Sequence, residues 1–140
     1  MTDPAQAAVR SLPADRAWLV GGALRDRLLG RATTDVDVAV DGDVREMAKV
    51  AARAGGGASC FALSDDFGSW RVVARDGSWQ LDLEPLRGGS IEADLSQRDF
   101  TVNALAQPTG GGELVDPFGG ERDVGARMLR AVQPDAFASD

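Results

Sequence analysis

The six residues Asp35–Val40, Asp-Val-Asp-Val-Ala-Val, constrain this chain more than any other stretch. Acidic and apolar side chains alternate with period two, the pattern of a strand with one dry face and one wet face. Val36, Val38 and Val40 must then point into a core, and Asp35 and Asp37 share the opposite face. Two neighbouring carboxylates repel, which raises a pKa unless a cation sits between them. A second unit precedes this strand. Ala17–Val20 is a compact apolar stretch, short enough for a buried strand, and Gly21-Gly22 follows at once. Leu24, Leu28 and Leu29 then fall at helical spacing over residues 23–29, with Gly30 as a stop.

The remaining elements read in the same way. Residues 1–12 are Ala-rich and predict a short helix stopped near Pro13. Asp43 with Glu46 three residues later resembles a capping box and opens a helix to about Ala54, ended by three glycines. Residues 59–63 and 70–75 read as strands around a polar turn at 64–68. Asp76-Gly77 is a hairpin signal leading into a strand over 79–84, which Pro85 closes. Residues 91–98 predict a helix, and 99–107 fit helix or strand equally. Leu114-Val115 reads as a short strand, 116–120 as a turn, 121–126 as a short helix and 128–132 as an apolar piece. The sum is one small mixed α/β (α+β) domain with much of its sheet built from neighbouring hairpins.

Composition narrows the chemistry. At 140 residues and 44% hydrophobic, the chain can bury a core. Its formal charge of −7 makes it a poor binder of nucleic-acid backbones by itself. Arginine supplies every basic residue except Lys49, a skew that genomic base composition explains as well as phosphate recognition does. There is no histidine, so His-centred triads, His bases and His metal ligands are excluded. The single cysteine, Cys60, excludes an internal disulfide and a Cys-rich zinc site, and its apolar surroundings predict a small core residue. Any metal must be held by oxygen, and any catalysis run by carboxylates, Arg, backbone amides or hydroxyls. No apolar run approaches the ~18 residues of a membrane span. Residues 1–12 carry no readable secretory signal, which leaves the cytoplasm as the expected location.

Three features combine into a site. Gly21-Gly22 lets the backbone approach a ligand at a helix N-terminus, and Arg25 in the first turn could grip the same phosphates. Alone, such a pair is more often an ordinary strand-to-helix turn. Asp35 and Asp37 suit a hard cation, Mg²⁺ being usual where phosphates share its shell; a solvated strand face is the other reading. Leu81-Asp-Leu-Glu84 puts Asp82 and Glu84 on one strand face, either available as a third carboxylate, with a solvated hairpin face the alternative. Three carboxylates and two metals clamp the attacking and leaving oxygens in phosphoryl transfer. Together the three features are coherent as a nucleotidyl-transfer site.

The longer segments carry a resemblance. Leu19-Val-Gly-Gly-Ala-Leu-Arg-Asp26, Leu28-Leu-Gly30 and Asp35-Val-Asp37 come first. Leu81-Asp-Leu-Glu-Pro-Leu-Arg-Gly-Gly-Ser90, Asp94-Leu95, Arg98-Asp-Phe-Thr-Val-Asn-Ala-Leu-Ala106 and Val115-Asp-Pro-Phe-Gly-Gly120 follow in order. Through them the chain resembles the class II tRNA nucleotidyltransferases and bacterial poly(A) polymerases, members of the polymerase-beta-like nucleotidyltransferase superfamily. The segments at 98–106 and 115–120 are far more specific than either short motif.

The resemblance implies a head domain over residues 17–133, a mixed sheet flanked by helices. An N-terminal helical extension would occupy 1–16, and 134–140 would begin a neck and nucleotide-selecting motif. It implies template-independent addition of C and/or A from CTP or ATP to a tRNA 3′ end, by two-metal-ion phosphoryl transfer with Mg²⁺. Poly(A) addition, CC-only or A-only addition, and a non-catalytic nucleotide-binding module are the alternatives, and oligomeric state stays open. By analogy Asp35 and Asp37 bind Mg²⁺, with Asp82 as the third carboxylate. Gly21, Gly22 and Arg25 would meet the triphosphate, and Arg98 and Asp99 the ribose or phosphates. Asn103 lies in the same motif, and Arg130 matches a family arginine without an assigned job. Three departures stand out. Gln97 replaces an arginine found in many relatives, and residues 61–73 are unlike the flexible loop of many CCA-adding members. Phe137-Ala-Ser-Asp140 ends the chain where a similar family motif leads into the nucleotide selector. The expectation is a fragment of a longer enzyme, lacking the selector and tRNA-gripping regions and nearly inactive alone.

Overall fold

Alternating valines need a cover, and the computed structural model supplies it on one side of a twisted sheet. The structure describes residues 3–30 and 34–132. The chain runs α1 (Asp3–Arg10), β1 (Ala17–Val20), α2 (Gly21–Leu28), β2 (Asp35–Val40), α3 (Val44–Ala54), β3 (Ser59–Ser64), β4 (Ser69–Val73) and β5 (Gln80–Pro85). It continues with α4 (Ile91–Ser96), a 3₁₀ turn (Thr101–Asn103), β6 (Ala106–Pro108) and α5 (Gly120–Gly125). Among the described residues the strands form one sheet in the order β3-β4-β5-β2-β1-β6.

Strand alternation sorts the side chains. Val36, Val38 and Val40 of β2, Leu81 and Leu83 of β5 and Val72 of β4 are buried on one face. Ala5, Ala8 and Val9 of α1 and Met47, Ala48 and Ala51 of α3 close over them. Burying each Val or Leu contributes roughly 1.5–3 kcal/mol. Asp43 caps α3 by accepting the Glu46 N–H at 3.1 Å, which satisfies one of the unpaired amides of the first turn. On the other face, Val20, Ala39 and Ala106 pack with Ile91, Leu95 and Ala104, and Leu24, Val102, Leu105 and Val124 form a smaller cluster. The acidic residues of β2 and β5 belong to this second face, beside those smaller clusters.

Several expectations change. The β3–β4–β5 meander is built from hairpins, but the centre of the sheet is a parallel pair, β2 with β5. That pairing joins residues 45 positions apart, as in Asp35 with Gln80, and leaves no local sequence signal. Helix α2 starts at Gly21 itself, inside the glycine pair. Residues 99–107 are neither one helix nor one strand: the 3₁₀ turn precedes β6. Val115 makes a single bridge to Ala106 instead of a strand, and Ala131, in the apolar piece at 128–132, bridges Phe100. Cys60 is half-buried and packs against the rim of the main core, because β3 is the edge strand. The expected neck segment at 134–140 lies outside the described residues. Among the described residues no helix is long and apolar enough to cross a membrane.

Candidate active site

β1 ends and α2 begins without a connecting residue, so the chain turns sharply at Gly21, whose φ of +75° lies in the left-handed region. A Cβ there would stand 3.3 Å from Asp37 Oδ2. The glycine turn and the acidic strand therefore touch, and α2, whose first-turn amides have no partner within the helix, starts at this contact. Gly21, Gly22, Arg25, Asp37, Arg98, Asp99 and Asn103 line one cleft of about 410 Å³. The sequence assigns six of these to nucleotide binding and Asp37 to the metal; Arg87 and Gln97 complete the lining. Asp35 and Asp82 are not among the lining residues.

Two of the cationic side chains in the cleft, Arg25 and Arg98, are braced by hydrogen bonds. Arg25 Nη1 donates to Asn103 Oδ1 at 3.1 Å, which gives Asn103 a definite task. Arg98 donates from Nε and Nη2 to Asp94 Oδ1 at 3.2 and 2.9 Å. Asp94 is only 1% exposed, and its Oδ2 accepts the Arg87 N–H at 2.9 Å. Asp94 thus ties the helix carrying it to the loop after β5 and to the arginine at the cleft mouth. The segment Asp94-Leu95 belongs to the sequence resemblance, but nothing in it marks this role.

The carboxylates behave as a cluster. Parallel pairing puts Asp37 opposite Asp82 and Asp35 opposite Gln80. Asp37 is pushed up to about 6, first by burial, then by Glu84 and Asp82; Arg98 opposes and Asp35 adds to the rise. Glu84 therefore acts on the site, although a solvated face is its simpler sequence reading. Asp82 carries its own cation: Arg71 Nε and Nη2 donate to Oδ1 and Oδ2 at 2.8 and 3.0 Å. Arg71 was not marked by the sequence reading, yet a signal existed, because a hairpin centred on Asp76-Gly77 sets Arg71 opposite Asp82. Among the described residues no three acidic groups stand close enough together to enclose a metal ion. Two carboxylates with phosphate oxygens suffice for Mg²⁺, which commonly takes one or two protein ligands and leaves the rest to substrate and water. The all-oxygen donor set and the elevated Asp37 pKa fit that cation.

Behind the cleft, the most specific sequence segments hold one another. Thr101 Oγ1 donates to Asp123 Oδ2 at 2.6 Å, and Arg130 Nε donates to the same oxygen at 3.3 Å. Arg130 so acquires a job, holding the buried carboxylate of α5. Asp116 accepts the Gly120 and Glu121 N–H groups at 2.6 and 3.1 Å and caps α5. A Cβ on Gly120 would collide with the Thr101 carbonyl oxygen.

Comparison with known proteins accords with this arrangement. The chain is 46% identical over 125 residues to the CC-adding tRNA nucleotidyltransferase of Geobacter sulfurreducens, covering 89% of this chain and 29% of that protein. It is 44% identical over 124 residues to the A-adding tRNA nucleotidyltransferase of Deinococcus radiodurans, covering 89% and 27%. The chain spans less than a third of the length of either relative. A solved tRNA-processing enzyme in an apo form superposes with a TM-score of 0.82 at 34% identity, over 96% of this chain and 37% of that one. A tRNA nucleotidyltransferase complexed with a primer tRNA and an incoming ATP analogue superposes with a TM-score of 0.79 at 36% identity, over 89% and 38%. The family model of the poly(A) polymerase head domain matches residues 17–62 and 70–130, and the chain belongs to that family.

Proposed function

We propose that this chain is the catalytic head of a template-independent RNA nucleotidyltransferase that adds C and/or A from CTP or ATP to a tRNA 3′ end in the cytoplasm. The observation that carries the reading is the contact between the Gly21 turn and the Asp37 carboxylate in a cleft lined by Arg25 and Arg98. It sets anion-binding amides and guanidiniums beside the carboxylates a cation needs. Gly21, Gly22 and Arg25 receive the triphosphate, with Asn103 fixing the Arg25 fork. Arg98, held by Asp94, and Asp99 receive the ribose or phosphates. Gln97 offers an amide where a second guanidinium would strengthen phosphate binding. Asp35 and Asp37 would hold Mg²⁺, which when bound polarises the α-phosphate and neutralises charge on the leaving oxygens.

In the transfer, the RNA 3′-oxygen bonds to the α-phosphorus as the bond to the β-phosphate oxygen breaks. Pyrophosphate leaves, and the hydroxyl proton passes to a carboxylate of the acidic face. Asp82 is the third carboxylate of that face, across the sheet from Asp37. The head domain covers residues 17–133, with 1–16 as an N-terminal helical extension. The curated relatives, each named for adding C or A to tRNA, support the substrate class.

One observation favours a second reading, a nucleotide-binding module without transfer: both Asp82 oxygens are engaged by Arg71. The test is incorporation of CTP and ATP by the full-length protein into tRNAs ending before CCA, after C and after CC. Incorporation that Asp35→Ala with Asp37→Ala abolishes, in a folded protein, supports transfer. Mg²⁺-dependent nucleotide binding with no incorporation selects the binding module. Undiminished incorporation by the double variant overturns the metal assignment.

A further inference from the structure

Arg71, Asp82 and Asp37 stand in one row across three neighbouring strands, by the registers of β4 with β5 and β5 with β2. The row places a guanidinium and two carboxylates on the face that carries Asp35. Arg71 takes both Asp82 oxygens at 2.8 and 3.0 Å, so it engages the same two atoms a metal ion would use. Its charge is stabilised by the Asp82 hydrogen bond first, and through space by Asp35 and Asp37 as well. The side chains are 32% and 19% exposed, so the fork can leave Asp82 without opening the core.

We propose that Arg71 is an internal counter-cation of the acidic face, holding Asp82 in the cation-free protein and yielding it when a divalent cation reaches Asp35 and Asp37. The inference rests on the metal role proposed above for Asp35 and Asp37 and adds a positioning residue to it. A guanidinium and a divalent ion compete for the same oxygens, and a positive charge beside the cluster opposes the arrival of another. Arg71 thereby lowers the affinity of the empty site for cations while keeping the third carboxylate in place. An arginine that merely supported the sheet would have the opposite signature, since losing it would loosen the site and weaken cation binding.

The experiment is Mn²⁺ binding to the purified chain without nucleotide, followed by electron paramagnetic resonance at pH 8, where Asp37 is ionised. Arg71→Met should bind Mn²⁺ roughly 5- to 10-fold tighter, the order expected for removing one charge near a divalent ion in a partly screened site. Adding Asp82→Asn to Arg71→Met should abolish that gain. Binding by Arg71→Met at or below the wild-type affinity overturns the proposal. A gain that survives in the double variant overturns it too, because Asp82 would not be the group released. Asp37→Asn separates the two layers of inference. If it binds Mn²⁺ as well as wild type, the metal reading fails and this proposal with it. If it loses Mn²⁺ while Arg71→Met gains nothing, only the role of Arg71 fails. Should Arg71→Met not fold, Arg71→Lys replaces it: an ammonium cannot span both Asp82 oxygens, and about a 2-fold gain is expected.

Discussion

Replacing Asp37 by Asn should stabilise the protein at neutral pH while removing a proposed metal ligand. The carboxyl is raised from an ordinary 3.8 to about 6, chiefly by burial and by Glu84 and Asp82. A folded-state pKa above the unfolded one means that protonation favours folding. That contribution is complete below pH 4 and is lost as pH rises through 6, so above pH 6 the folded chain carries a strained charge. The full shift corresponds to roughly 3 kcal/mol. Because Asp37 keeps part of its surface in water, solvent screening reduces the expected effect to about 1 kcal/mol, or a melting shift of ~3–4 °C. The assay is urea unfolding of both proteins from pH 4 to pH 8, followed by tryptophan fluorescence, for which Trp79 is a buried reporter. The two curves should coincide near pH 4 and separate above pH 6, with Asp37→Asn the more stable. Saturating Mg²⁺ should close the gap at pH 8 by stabilising only the wild type. A gap independent of pH, or a variant less stable at pH 8, would refute the electrostatic account of this site.

Two further substitutions test how the cleft is held. Gly120→Ala should destabilise by about 3 kcal/mol in denaturant unfolding, because the added methyl meets the Thr101 backbone and Leu105 Cδ2 at 3.1 Å. Gly125→Ala, with open space at its Cβ, serves as the control and should be neutral or slightly stabilising; equal losses at both sites would sink the packing explanation. Asp94→Asn keeps the shape and an acceptor for the Arg87 N–H but strips Arg98 of its charge partner. It should cost about 3 kcal/mol and weaken CTP binding, measured by calorimetry, and unchanged values on both counts would show that Asp94 does not position Arg98.

What could be read in advance follows from the range of the interactions. The alternation in Asp35–Val40, the cap at Asp43 and the turn at Asp76-Gly77 are local signals, and the elements they mark are present within a residue or two. The glycine pair and the two aspartates read as parts of one site from the sequence alone, and the structure sets Asp37 against Gly21, whereas Asp35 is not among the cleft-lining residues. The parallel pairing of β2 with β5 was not legible, since nothing local records which distant strand will be a neighbour. The environment of Asp82 was hidden for a different reason. Its face was predictable by period two, but its partner Arg71 required extending the hairpin register by five residues beyond the turn. Residues 99–107 defeated periodicity because a bridge, a 3₁₀ turn and a short strand follow one another too quickly for any period to develop.

The segments that carry the resemblance most specifically, at 98–106 and 115–120, divide their labour unevenly. Arg98, Asp99 and Asn103 face the cleft, whereas Thr101, Asp116 and Gly120 do not. Those three form a brace instead: Asp116 caps α5, Gly120 brings the start of α5 against the Thr101 backbone, and Thr101 bonds the buried Asp123 of the same helix. Asn103, two residues on, then fixes Arg25 on α2. A continuous path of hydrogen bonds and close packing therefore runs from α5 through the 3₁₀ turn to the proposed phosphate-binding arginine. Fixing such a group before substrate arrives removes an ordering cost that binding would otherwise bear. Each joint in that path admits few side chains. A glycine is required where backbones touch, a short hydroxyl where it must reach a buried carboxylate, and a carboxylate where two amides need one acceptor. That narrowness is why these segments are so distinctive although, of all their residues, only Arg98, Asp99 and Asn103 line the cleft.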